Sequence, residues 1–125
     1  MPLPLQITFR HMDPSPALET RIRHRAAELE QFFDRITACR VVVESRHRHR
    51  HQGNLFEVHI DLSVPGSQLV AGRNHAFDHS HEDAHVAVRD AFDAARRQLE
   101  DYVRAIRDEA KHANAARQVS PIEPA

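Results

Sequence analysis

The sequence predicts an α+β fold of order β-α-β-β-β-α, in which one four-stranded mixed sheet carries two helices packed on one face. Three stretches carry that expectation. Between Glu82 and Lys111, Ala84, Val88, Ala91, Phe92, Ala95, Leu99, Tyr102, Val103 and Ile106 recur at three- and four-residue steps, the spacing that lines one stripe of an α-helix. Phe56, Val58, Ile60, Leu62 and Val64 alternate with Glu57, His59, Asp61 and Ser63, the period-two signature of a strand with one buried and one wet face. Leu5, Ile7 and Phe9 repeat that alternation near the start. A sheet with one apolar face is what covers so long a helical stripe.

The remaining elements follow in order. The first strand leads into Asp13-Pro14-Ser15-Pro16, where Ser15 suits the N-cap and Pro16 the first helical position, at which its missing N–H costs nothing. The helix should bury Leu18, Ile22, Ala26, Leu29 and Phe33, hold Phe32 at its margin, and end near Asp34. Cys39 to Arg46 is rich in β-branched residues and reads as the second strand, parallel to the first because a helix joins them. His47 to Asn54 has no apolar residue and reads as an exposed connection. After the third strand, Pro65-Gly66-Ser67 turns the chain into a shorter strand from Gln68 to Arg73, and Asn74 to His79 reads as a loop. Ser80 is then expected to open the long helix, with Asp83 three residues on. Residues 112–125 lose the apolar period and contain two prolines, so the domain is expected to span 1–111 and the tail to be disordered.

The totals bound the function. With 125 residues the chain makes one domain, and its 28% charged and 41% hydrophobic residues are those of an ordinary globular protein. It shows neither a long apolar run nor a basic-then-apolar leader, so the expected location is the cytoplasm, with no membrane partner. Cys39, the single cysteine, cannot form an internal disulfide and reads as a small buried hydrophobe. No Ser-His-Asp order, glycine-rich phosphate loop or isolated carboxylate pair stands out, so neither catalysis nor a cofactor is expected.

Because the net charge is only −1, affinity for a polyanion must come from local patches. At about 100° per residue, Arg89, Arg96, Arg97, Arg104, Arg107 and Lys111 fall on one flank of the long helix, interrupted by Asp93 and Glu100. Asp90, Asp101 and Asp108 fall on the other. On the first helix, Arg21, His24 and Arg25 share a flank that Glu28 interrupts. If about five phosphates are neutralised, log K should fall against log salt with a slope of about −4. The competing reading is a solvated face with pairs such as Arg97 with Asp101 or Arg104 with Asp108.

The eleven histidines raise a different chemistry. His47, His49 and His51 alternate with arginines that repel a divalent ion, so this stretch reads as a basic loop. His81-Glu82-Asp83-Ala84-His85 spells H-E-x-x-H, so His81 and His85 are the weak candidates for a metal. Against them, Glu82 and Asp83 already suit a helix start, and no third ligand is specified. A histidine-rich metal-binding protein is the alternative function; a fold relative with another partner is a third.

The first helix and its exit, from Ala17-Leu18 to Leu29-Glu30-Gln31-Phe32-Phe33-Asp34-Arg35-Ile36, and His81-Glu82-Asp83 leading to Arg97-Gln98-Leu99 are the best pieces of a match that runs from about Leu5 to Lys111. Over that span the chain resembles the ribosome hibernation-promoting factors, also called ribosome-associated inhibitors or ribosomal subunit interface proteins. The resemblance implies a cytoplasmic protein that binds the small ribosomal subunit and its RNA near the decoding centre, blocking the channel of messenger and transfer RNA. It also implies that Arg25 and Arg97 occupy basic positions of the family, and that Arg104, Arg107 and Lys111 lie in its lysine-rich segment. With Arg21, Arg89 and Arg96 these form the expected RNA-binding set. The chain departs from the family at Ala94, Glu28, Glu100-Asp101, His85 and the loop from Asn74 to Ser80.

Overall fold

The computed structural model describes residues 4–47, 54–72, 80–81 and 83–119, with side chains at 46, 47, 54, 80, 81 and 112–119 left out. The order is β1 (Leu5–Arg10), α1 (Pro16–Phe32), β2 (Ala38–His47), β3 (Asn54–Val64), β4 (Ser67–Ala71), β5 (Ser80–His81) and α2 (Ala84–Val119). The main sheet runs β1-β2-β3-β4, and β5 pairs with β3. β1 and β2 are parallel, with Leu5 opposite Cys39 and Phe9 opposite Val43; the other neighbours are antiparallel. This is the expected α+β architecture.

Register decides the core. Val41 faces Ile60 and Cys39 faces Leu62, so the alternating apolar positions of β2 and β3 share one face. Leu18, Ile22, Ala26 and Leu29 of α1 and Ala87, Val88, Ala91, Phe92, Ala95 and Leu99 of α2 join these residues in one buried cluster. Ser15 caps α1, its hydroxyl accepting from the Leu18 N–H at 3.3 Å.

Four local expectations need correction. α2 opens at Ala84, not Ser80: the Asp83 carboxylate accepts from the His85 N–H at 2.9 Å, and Ser80 pairs with Glu57 in the sheet. α2 also continues to Val119, past Lys111, because backbone helix propensity in the Ala-rich stretch does not require an apolar stripe. α1 stops at Phe32, and Phe33 is the cap, its N–H donating to the Leu29 carbonyl at 2.9 Å. Glu57, expected in water, is 1% exposed at the point where β2 and β5 flank β3 on both sides. The expected connection from His47 to Asn54 begins and ends in strand, since His47 closes β2 and Asn54 opens β3; residues 48–53 between them and the expected loop over 74–79 lie outside the described residues.

Side-chain bonds fix α2 to the β3–β4 hairpin. Gln98 Nε2 donates to the Val70 carbonyl at 2.6 Å, and the Tyr102 hydroxyl donates to the Pro65 carbonyl at 2.6 Å. Tyr102 also meets Phe33 edge-on, centroids 5.6 Å apart. At the end of β4 only glycine fits: Gly72 has φ +86°, and a Cβ there would collide with the Val58 carbonyl oxygen.

Candidate nucleic-acid interface

With Leu99 and Phe92 turned into the core, the opposite side of α2 must face water, and the helical period carries Arg89, Arg96, Arg97, Arg104, Arg107 and Lys111 there; all are exposed. α1 buries Ile22 and Ala26 and so leaves Arg21 exposed, while Arg25 keeps 28% of its side chain accessible. The C-terminal end of α1 lies against the middle of α2, where the Arg96 guanidinium sits 4.7 Å from the Phe32 ring centroid. Both charged flanks therefore belong to one two-helix layer.

The cations fall into two groups. Arg25 pairs with Glu28 at 3.6 Å, Arg89 with Asp90 at 3.2 Å, Arg96 with Glu100 at 3.2 Å and Arg104 with Asp101 at 3.2 Å. Arg21, Arg97, Arg107 and Lys111 make no ion pair with the described residues. The sequence spacing allowed Arg97 with Asp101 and Arg104 with Asp108; instead Asp101 bonds back to Arg104, which leaves Arg97 available. Exposed pairs of this kind are weak, about 0–1 kcal/mol, yet each cancels a unit of local charge that a phosphate would otherwise meet.

Sequence spacing missed the Phe32–Arg96 stack, because no period within one helix reports what a second helix brings against it. It also missed the hydrogen bond that Gln98 makes to β4, for the same reason.

The metal candidates are separated by the backbone. His81 lies in β5 and His85 in the first turn of α2, so the one-turn helical spacing that H-E-x-x-H requires is missing. Among the described residues no group of three His, Cys, Asp or Glu side chains is placed to hold a metal ion. Cys39 is 1% exposed, and burial, aided by the charge of Asp61, pushes its thiol from 9.0 up to about 12, where it is a poor nucleophile and ligand. No described helix is long and apolar enough to cross a membrane.

The fold and this face define a small α+β domain whose two helices share one sheet face and carry exposed cations on the side away from it. Residues 5–107 match the family model described as sigma 54 modulation protein / S30EA ribosomal protein, and the chain belongs to that family. The hibernation-factor resemblance of its helices thus holds. Among solved structures, it is similar to a ribosomal subunit interface protein from Coxiella burnetii, with TM-score 0.64 and 19% identity over 80% of this chain and 97% of that one. It is also similar to the N-terminal domain of Protein Y from Thermus thermophilus, with TM-score 0.58 and 15% identity over 82% of this chain and 99% of that one. At such identities the likeness shows the fold alone. No curated protein matches the chain.

Proposed function

We propose that the protein binds the small ribosomal subunit near the decoding centre through ribosomal RNA, and lowers translation by blocking the channel of messenger and transfer RNA. Family membership supports the ribosome as partner. The observation that carries the RNA reading is the exposed set Arg21, Arg97, Arg107 and Lys111, none of which is balanced by a described carboxylate. Arginine suits this task, since its planar fork can hold two phosphate oxygens at once. Arg25, Arg89 and Arg104 stand beside this set, each held back from a phosphate by the carboxylate it pairs with. Occlusion needs no catalytic group: a domain that fills the channel excludes the normal ligands by volume. Such a protein works in the cytoplasm, during stress or stationary phase.

Co-sedimentation with whole ribosomes and with isolated small subunits, at low and high salt, tests the proposal. The protein should travel with both at low salt and be released at high salt. Arg97→Glu, Arg104→Glu and Arg107→Glu combined should abolish binding while the circular dichroism spectrum is unchanged. Binding that survives this triple reversal would refute the assigned face.

A further inference from the structure

The contact between Phe32 and Arg96 is more than a helix-to-helix seam. Phe32, at 38% exposure, is the only exposed large hydrophobic residue among the described residues. The α1 cap N–H and the packing on Tyr102 come from the neighbouring Phe33, not from Phe32. The Arg96 guanidinium lies 4.7 Å from the Phe32 ring centroid and keeps 45% of its side chain accessible. Its Nε donates to Glu100 Oε2 at 3.2 Å, so the group is held at Nε by a carboxylate while its Cζ lies over a ring. A guanidinium fixed in this way presents a flat, cationic and weakly hydrated surface. Few ligands match it: a phosphate prefers the N–H edge, which Glu100 already occupies in part, whereas an unpaired nucleobase prefers the plane.

We propose that Phe32 and Arg96 form a stacking platform for one unpaired RNA base, beside the phosphate-binding cations of the same helices. The inference rests on the ribosome-binding reading and adds to it a contact of another kind, made to a base face and not to the backbone. Phosphate contacts release counterions and so set the slope of log K against log salt. Stacking changes affinity with little effect on that slope. The two contributions are therefore separable by titration.

The experiment measures binding of the full chain to small ribosomal subunits over a range of salt, for the parent, Phe32→Leu, Arg96→Lys and Arg97→Ala. Phe32→Leu keeps apolar bulk and loses the ring; Arg96→Lys keeps the charge and loses the plane. Each should weaken binding about 5- to 150-fold with the parent's slope, the range expected for one stacked base. Arg97→Ala should flatten the slope by about 0.9. Unchanged affinity in Phe32→Leu or Arg96→Lys overturns the platform. So does a loss accompanied by a flatter slope, or full retention in Phe32→Leu with loss in Phe32→Ala, which would indicate apolar contact with a protein surface. If the parent itself fails to bind ribosomes, the functional proposal falls on its own, and a single-stranded oligoadenylate titration followed by NMR of the phenylalanine rings decides this one. A shift at Phe32 and not Phe33 upholds the platform; no shift at Phe32 overturns it.

Discussion

Replacing Asp101 with asparagine should make the protein bind ribosomes more tightly. Arg104 Nη1 lies 3.2 Å from Asp101 Oδ1, and their side chains are 71% and 74% exposed. A pair so open contributes about 0–1 kcal/mol to stability, so Asp101→Asn should leave the fold standing. What changes is local charge: a phosphate that approaches Arg104 meets one uncompensated cation in place of a neutral pair. If Arg21, Arg97, Arg107 and Lys111 engage about four phosphates in the parent, its salt slope is about −3.6, and one further contact steepens it by about 0.9. Between about 50 and 200 mM salt the variant's advantage should then shrink about 3.5-fold. Titration of labelled protein into small subunits at several salt concentrations reads both quantities. Adding Arg104→Ala to Asp101→Asn should erase the gain, since the cation it released is gone. A variant that binds no tighter than the parent at low salt would refute the idea that these carboxylates withhold cations from RNA.

Other expectations concern the scaffold. Gly72→Ala should cost about 3 kcal/mol or more in urea denaturation, because the new Cβ meets the Val58 carbonyl oxygen at φ +86°. Gly66→Ala, at φ +76° with nothing within 4 Å, should cost only about 1–2 kcal/mol. Tyr102→Phe removes the hydroxyl bonded to the Pro65 carbonyl and should cost about 1 kcal/mol, with faster amide exchange in the β3–β4 turn. Cys39 should resist thiol reagents until the protein unfolds. Its folded thiol titrates at about 12 against 9.0 when free, so the unfolded state loses its proton first. Its contribution to stability is complete below pH 9.0 and is lost as pH rises towards about 12; Cys39→Ala should flatten that decline.

The parts of the fold that could be read from sequence are those whose energy comes from repetition. The stripe from Val88 to Val103 and the alternation from Phe56 to Val64 each repeat one choice many times, and both helices and the first and third strands emerged from such patterns; the second strand came from its β-branched residues and the fourth from the turn before it. β5 could not, because Ser80 and His81 span too little chain to show any period, and their pairing with β3 is set by register in space. The start of α2 was ambiguous for a related reason: Ser80 and Asp83 are both good caps, and only the strand pairing of Ser80 removes it from the choice. At the candidate site, the exposed sides of the helices were legible from the position of the core. Which carboxylate engages which arginine was not. Asp101 lies within one turn of both Arg97 and Arg104, and rotamers decide between them.

The bonds from Gln98 to Val70 and from Tyr102 to Pro65 have a mechanical consequence. They fasten α2 to the same hairpin at neighbouring points along its length, so the helix cannot roll or slide unless β4 and its turn move as well. Arg97, next in sequence to the first of those anchors, is thus carried on a beam whose attitude is settled before any ligand arrives. Little orientational freedom is left there to surrender on docking, and a weakly charged molecule can grip with the few cations it holds ready.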